Sequence, residues 1–574
     1  MNILGIHDGH TATACLVTDG EIVAMASEER FNRKKSWGGV PQRATEWVLQ
    51  STHTDPSTID AVAVPSLVQP LTEFSISKNF PPNPMTPLVR LVPNRLLASE
   101  TIVPLYVNLM RRRRDLQSIH QLLTPLRVPR ERIVQVEHHL AHAAASYYLS
   151  PFAAEDTETL VITLDGSGDG LCGTVNVAHG RRIERRLALS SYHSLGMIYS
   201  IVTQYLGMKP NEHEYKVMGL APYAPEEMAE RARRVFARYL NLSADGLRIV
   251  NTSGVFGPNF FKRLERDLWG MRFDAVAAGL QQRLEEIVVA FTRNWIKRTG
   301  IRTLAVGGGI FMNVKLNMLL QASPEVERIC FMPSGGDESI AAGAALQVAS
   351  ERGEPIIQPL RGLYFGPEFS ASDIETTLRA YGERVCWERI ADPEAKAAEL
   401  LTQGHIIGRC AGRMEWGARA LGNRSILADG RDLSVIRQIN AAIKQRDFWM
   451  PFAPSILWER RHDYLVNPRD ADAPYMILAF PSTPLAQQHL RAALHQYDLS
   501  CRPQLVRAEF NPRYHRLLTE WERLTGCGGL LNTSFNLHGE PIVCTPTDAV
   551  ETLLRSEIDD VMIEDYWVKR KIAG

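Results

Sequence analysis

The stretch Thr159-Leu160-Val161-Ile162-Thr163-Leu164-Asp165-Gly166-Ser167-Gly168-Asp169-Gly170 carries two signals back to back. Thr159 to Leu164 is apolar and β-branched, the composition of a buried strand. Asp165 to Gly170 is small and polar, the composition of a tight turn. A second strand follows at Gly173 to Val177, then the pair His179-Gly180, then a returning strand at Ile183 to Leu187. The N-terminus repeats the plan: Ile3 to Ile6 ends at Gly9-His10, Ala12 to Val17 is a second strand, Asp19-Gly20 a hairpin, and Glu21 to Ala26 returns. Two copies of one plan predict a duplicated α/β domain. Its polar turns face each other across a cleft, where backbone N–H groups hold phosphate.

Other elements fit around this pair. A buried strand at Leu304-Ala305-Val306 runs into Gly307-Gly308-Gly309 and then Ile310-Phe311-Met312-Asn313, so the backbone can approach a flat or anionic ligand closely. Asp274 to Thr299 reads as an amphipathic helix and Ser339 to Ser350 as an Ala-rich one. The set resembles the actin, sugar-kinase and chaperone-ATPase superfamily. That resemblance implies two duplicated lobes, phosphate-binding turns and a glycine turn near the adenosine. The segment 66–130, with Pro81-Pro82-Asn83-Pro84 and then helical stretches to Leu126, does not fit the duplication and reads as an inserted helical subdomain that shapes acceptor access. Over 353–369 polar, Pro and Gly content rises and helical periodicity stops. This marks a linker between a domain at 1–352 and a second at 370–574; within it Leu363-Tyr364-Phe365-Gly366 reads as a strand.

At 574 residues the chain is too long for one core. Its 64 Lys+Arg balance 64 Asp+Glu, which argues against a nucleic-acid-coating protein. The run Arg111-Arg112-Arg113-Arg114 reads as a solvated helix face. The eight cysteines include no CxxC pair, which suggests neither a disulfide scaffold nor a zinc knuckle. The chain opens directly into a strand, and no apolar run approaches the ~18 residues of a membrane span. The expectation is a soluble cytoplasmic protein without nucleic-acid or membrane partners, with a homodimer as a candidate state.

The chemistry concentrates in two places. In Glu137-His138-His139-Leu140-Ala141-His142 the outer histidines are four apart. On a helix His138 and His142 present two imidazoles on one face, as a metal ion requires. Asp165 and Asp337, each closing a strand-like or glycine segment, are candidates to complete a His2Asp2 site. His139 lies about 100° round the helix from His138 and points away from that ion. The second domain is dense in separated cations: Gly412-Arg413 through Arg419-Ala420-Leu421-Gly422-Asn423-Arg424-Ser425, then Lys444-Gln445-Arg446-Asp447, Arg502-Pro503-Gln504, and Leu531-Asn532-Thr533-Ser534-Phe535-Asn536. Cations beside glycine, proline and small polar residues suit a folded pocket for a polyanion.

These motifs resemble the O-carbamoyltransferase family of nodulation-factor, cephamycin, tobramycin and ansamycin carbamoyltransferases. The resemblance covers nearly the whole chain and is carried by Glu28-Glu29-Arg30-Phe31, Glu214-Tyr215-Lys216-Val217-Met218-Gly219-Leu220-Ala221, Gly335-Gly336-Asp337-Glu338-Ser339, Arg419 to Ser425 and Asn532 to Asn536. It implies an α/β N-terminal domain of the actin-like, threonylcarbamoyl-transferase type, and an α+β C-terminal domain similar to threonylcarbamoyl-AMP synthase. It implies that carbamoyl phosphate and ATP, with Mg, give carbamoyl adenylate in the C-terminal domain. The carbamoyl group then passes to a hydroxyl of a small-molecule acceptor in the N-terminal domain.

By the same resemblance His138, His142, Asp165 and Asp337 hold Fe(II) or another divalent metal. His10 takes the acceptor proton, with His7 upstream as the other candidate. Thr11 stands where the family usually has Asp. Glu214 and Lys216, on one strand and pointing to one side, contact ribose or carbamoyl; Gly309 and Asn313 line the adenosine, and Gly166 lies near the phosphate. Arg419, Lys444, Arg502, Asn532 and Ser534 contact ATP and carbamoyl phosphate. Arg446 and Arg424 are further contacts or structural partners of Asp447 and Asp429. Met450 stands where many members have Arg. The alternatives are a tRNA threonylcarbamoyl transferase, an actin-like sugar kinase, or a nucleotide-binding module without catalysis. A tRNA enzyme needs a basic docking surface, and a kinase has no use for the arginine-rich second domain.

Overall fold

The computed structural model describes residues 1–68, 116–255, 258–355, 359–444 and 446–571. The arginine run 111–114 and most of the 66–130 insertion lie outside the described residues; in the described part Gln117–Leu123 is a helix. By its contacts the chain divides into two units, Met1–Val23 with Ser36–Leu360, and Ala24–Lys35 with Arg361–Gly574.

Two five-stranded sheets of the same order belong to the first unit, apart from residues 24–27 at the end of one strand. One runs Glu21–Ser27, Thr13–Thr18, Asn2–His7, Ile59–Pro65, Ile133–Val136; the other runs Arg182–Ser190, Leu171–His179, Thr159–Gly168, Thr303–Gly307, Arg328–Phe331. In each sheet a hairpin strand is antiparallel to the first strand of the repeat, and two parallel strands complete the other side. The duplication expected from the two strand–turn–strand copies is thus present strand for strand. The central strands are apolar because both faces are covered: Ile3, Leu4, Ile6, Val161 and Ile162 are fully buried.

Two helices form the layer between the sheets. His138–Tyr148 packs on the strands Thr159–Gly168 and Thr303–Gly307, Ile340–Glu351 packs on Asn2–His7 and Ile59–Pro65, and the helices pack on each other. Small residues permit this. A Cβ on Gly343 would lie 1.9 Å from the Ala141 carbonyl oxygen, and one on Gly5 would lie 2.2 Å from that of Ala341. A helix buried on every side is apolar all round, hence the alanine runs. The long helix begins at Phe273, one residue before the expected start, and ends at Thr299, where Gly300 takes a left-handed φ of 78° as its cap.

Two expectations fail locally. Glu214 and Lys216 lie on a helix, Glu214–Leu220, not on a strand; residues two apart on a helix point about 200° apart, so they share no face. The helical spacing of buried Val217 and Leu220 decides this. Leu363 to Gly366 forms no strand: its backbone makes separate hydrogen bonds, from Gly366 N–H to Met414 O at 2.9 Å and from Trp416 N–H to Leu363 O at 2.7 Å.

The second unit is built on one mixed sheet of eight strands, in the order Val385–Arg389, Tyr566–Arg570, Asp560–Ile563, Ile407–Cys410, Arg424–Ala428, Gly529–Ser534, Ala453–Leu457, Gln504–Val506. One face packs Ile426, Leu531, Phe535, Val561 and Val568 against helix residues such as Ile374, Ile439 and Val550.

Candidate metal centre and candidate anion pocket

His138 opens the helix His138–Tyr148 and His142 lies one turn on. Glu137 caps this helix, accepting from the N–H groups of His139 and Leu140 at 3.1 and 2.8 Å. Burial works against its charge, but Arg185, His139 and the cap outweigh that and hold the carboxyl below its usual range. Asp169 ties down the next donor: its carboxylate accepts from the N–H of His138 at 2.8 Å and of Leu67 and Val68 at 2.8 and 3.0 Å. A Cβ on Gly168 would lie 2.0 Å from the His138 ring, so only glycine lets the ring lie across this turn.

Asp165 near the end of its strand and Asp337 at the start of a short 3-10 turn face these rings. His138 Nε2 lies 3.6 Å from Asp165 Oδ2 and 3.7 Å from Asp337 Oδ1, and His142 Nε2 lies 3.5 Å from Asp337 Oδ1. One ligand atom from each of the four lies within 4.8 Å of the others. His138 Nε2 and His142 Nε2 are buried without a hydrogen-bond partner. Buried polar atoms are ordinarily satisfied, and two such nitrogens converging with two carboxylates fit a divalent ion of the Fe, Mn or Zn kind. In the protein alone the acids act on the ring instead. Burial disfavours charge on His138, yet Asp165, Asp337 and Asp169 raise its pKa to about 9. His139 faces elsewhere: Nδ1 lies 2.9 Å from Thr163 Oγ1, and burial lowers its pKa to about 3.

His10 sits in the turn after the first strand. Its carbonyl accepts from His7 Nε2 at 2.9 Å and from the Thr11 hydroxyl at 2.6 Å. The same hydroxyl lies 3.4 Å from Glu338 Oε2. Thr11, left-handed at φ 59°, therefore links the His10 turn to the residue after Asp337. Glu338 was not singled out from the sequence; burial raises its carboxyl, although a hydrogen bond to Ser334 opposes this. His7 is fully buried. Burial lowers its pKa against the pull of Asp337 and Asp8.

The remaining first-unit residues divide. Gly309 N–H donates to Asp165 Oδ1 at 2.8 Å, joining the glycine turn to the cluster. No atom lies within 4 Å of where a Gly166 Cβ would stand, so that turn borders open space. Asn313 is largely committed within the protein. Its Oδ1 caps the helix Val314–Ala322 by accepting from Leu316 N–H at 3.1 Å, and its amide exchanges two hydrogen bonds with Gln281 at 2.8 and 3.0 Å. Glu214 accepts from the Ser200 hydroxyl and the Asn211 N–H, both at 2.7 Å, while Lys216 is half-buried on a different side.

In the second unit Lys444 is 3% exposed. Its ammonium donates to Ser534 Oγ at 3.1 Å, Asn536 Oδ1 at 2.8 Å and the carbonyls of both residues. Burial, then Arg446 and Lys35, push its pKa well below the usual lysine range. Arg446 donates to Thr533 Oγ1 at 2.8 Å and lies over the Phe452 ring. Burial, then Arg419 and Arg446, push Arg502 well down too. Among the described residues no carboxylate pairs with Lys444 or Arg502. Crowded cations without a counter-charge are costly, and a polyanion relieves that cost. Asn532 is held in a separate buried network, its Nδ2 donating to Ser455 Oγ at 2.9 Å and to Gln504 Oε1 and Ala420 O at 3.3 Å. Arg424 does not pair with Asp429, and its guanidinium is committed to backbone carbonyls. It is buried, donates to five carbonyls including those of Asn423 and Pro367, and Asp429 pairs with Arg431 at 2.7 Å. Asn536 joins Ser534 in holding Lys444, and its place two residues further along the same motif is the sequence signal for it.

A duplicated α/β unit with one cluster of candidate ligands and a mixed-sheet unit with another make a two-part architecture, and the sequence matches give its class. Residues 2–346 match the family model "Carbamoyltransferase N-terminus" and residues 398–570 match "Carbamoyltransferase C-terminus". The chain belongs to the carbamoyltransferase family and is an enzyme of that class. It is 33% identical to "Nodulation protein NolNO" of Sinorhizobium fredii, across 99% of this chain and 80% of the relative. It is 32% identical to "Uncharacterized protein sll1178" of a Synechocystis strain, across 98% and 96%. A "3'-hydroxymethylcephem-O-carbamoyltransferase" of Streptomyces clavuligerus is 29% identical across 52% of this chain and 54% of that one. Among solved structures, full-length HypF aligns with a TM-score of 0.35 at 14% identity, across 62% of this chain and 47% of HypF. No helix among the described residues is long and apolar enough to cross a membrane.

Proposed function

We propose that the chain is an ATP-dependent O-carbamoyltransferase that works in two half-reactions. The observation that carries this reading is the mutual influence of Lys444, Arg446, Arg419 and Arg502, with no carboxylate among the described residues paired with Lys444 or Arg502. In the first half-reaction, in the C-terminal unit, water cleaves carbamoyl phosphate to carbamate and phosphate, and a carbamate oxygen then attacks the α-phosphorus of Mg-bound ATP, forming carbamoyl adenylate as the bond to pyrophosphate breaks. Arg419, Arg446, Arg502 and Lys444 hold the phosphates and meet the charge that moves during adenylation, while Ser534 and Asn536 fix the Lys444 ammonium.

In the second half-reaction, in the N-terminal unit, the hydroxyl oxygen of a small-molecule acceptor attacks the carbamoyl carbon. The bond from that carbon to the adenylate oxygen breaks, AMP leaves, and the hydroxyl proton goes to His10. Thr11 and Glu338 keep the His10 turn in place. His138, His142, Asp165 and Asp337 would hold a divalent ion, Fe(II) or another, and such an ion would supply Lewis-acid charge neutralisation for a departing phosphate. Gly166 leaves room beside the cluster for the nucleotide. The relative named for a hydroxymethylcephem supports a hydroxyl acceptor. The test is pyrophosphate release by the purified protein. It is expected only when ATP and carbamoyl phosphate are both present; release without carbamoyl phosphate, or none with it, overturns the reading.

A further inference from the structure

We infer that Glu415 is a positioning residue of the adenylation pocket, acting through Arg419. This rests on the reading of that pocket given above. Glu415 is 1% exposed. Its Oε1 accepts from three backbone N–H groups, those of Leu421 at 2.6 Å, Arg424 at 3.1 Å and Asn423 at 3.2 Å. Its Oε2 is buried with no hydrogen-bond partner. The carboxylate therefore answers the amides of a loop and not another side chain.

That loop, between Glu415 and the strand Arg424–Ala428, has no helical or strand pairing of its own to hold it. It turns at two left-handed glycines, Gly417 at φ 99° and Gly422 at φ 110°. A Cβ on Gly422 would also strike the Tyr514 ring at 2.3 Å. Its carbonyls are tied outward: Gly417 O by Arg30 at 2.9 Å, Leu421 O by Gln504 at 2.7 Å and Gly422 O by Arg409 at 2.7 Å. Its inward amides converge on Glu415. Arg419 lies on this loop next to Ala420, whose carbonyl accepts from the buried Asn532 amide at 3.3 Å, and the Arg419 charge acts on Arg502. Like charges drive such side chains apart, so the loop must resist being pushed open. The buried carboxylate at its root, with three charge-assisted hydrogen bonds, supplies that resistance.

The test is a double-mutant cycle in the full chain, made of Glu415→Gln, Arg419→Ala and the pair. Glu415→Gln keeps an acceptor oxygen and nearly the same volume; Glu415→Asp, which keeps the charge, serves if Gln fails to fold. The readouts are ATP affinity by calorimetry without carbamoyl phosphate, and KM and kcat for pyrophosphate release. Glu415→Gln is expected to weaken ATP binding and raise its KM about tenfold with kcat little changed, and to add nothing in the Arg419→Ala background. Additive losses in the two backgrounds, or a fall in melting temperature with unchanged ATP affinity, overturn the inference and leave Glu415 merely structural. Wild-type protein that binds ATP but releases no pyrophosphate overturns the adenylation reading, while the binding cycle still decides the role of Glu415.

Discussion

His138 shows how one residue answers to its surroundings twice. In the protein alone Asp165, Asp337 and Asp169 overcome the cost of burial and raise its pKa from 6.5 to about 9. A raised histidine stabilises the fold fully below its unfolded value, near pH 6.5, and that contribution is lost as pH rises through about 9. A metal ligand must be deprotonated, so an ion entering the cluster displaces this proton at any pH below about 9. Affinity for Mn or Zn, measured by chelator competition between pH 6.5 and 9, is expected to rise about tenfold per pH unit and to level off above 9. A flat profile would show that His138 carries no proton to displace. The melting temperature of chelator-treated protein is expected to fall over the same window, and that of metal-loaded protein is not.

Secondary-structure elements place the cluster, and here the sequence was readable in part. The HxxxH spacing is a helix signal, and the strand–turn–strand copies give the sheets, because both depend on periodicity within a few residues. What periodicity does not carry is contact between distant segments. Asp169 reaching the His138 N–H, Thr11 reaching Glu338 and Gln281 locking Asn313 all join residues far apart in the chain. The Glu214 to Lys216 stretch is too short for its period to separate helix from strand. At this scale the critical contact is that of the helices His138–Tyr148 and Ile340–Glu351, where Gly343 has no room for a Cβ. One helix carries both histidines and the other follows Asp337, so separating them spreads the ligands. Gly343→Ala is expected to cost about 1–3 kcal/mol by overpacking and to weaken metal binding at least about tenfold. Unaltered metal affinity in a folded Gly343→Ala protein would mean that the cluster does not depend on this helix contact.

At the scale of the whole molecule the two candidate sites differ in charge. Imidazoles and carboxylates gather at one, while at the other Lys444 and Arg502 have no carboxylate partner among the described residues. The composition hides this, because 64 acidic and 64 basic residues cancel, and only their local separation points to the candidate pocket proposed for a polyanion. If the halves divide the work as proposed, each can be disabled alone. His138→Ala is expected to form carbamoyl adenylate normally and to transfer nothing, so it gives a burst of pyrophosphate near one equivalent per enzyme while product falls by about 100-fold or more. Arg502→Ala is expected to lose the burst and the product together, by a similar factor. The measurement is rapid-quench pyrophosphate alongside mass-spectrometric detection of carbamoylated acceptor, on both variants with melting temperatures matched to the parent. Loss of the burst in His138→Ala, equal to its loss of product, would place both half-reactions at one site and defeat the two-site reading.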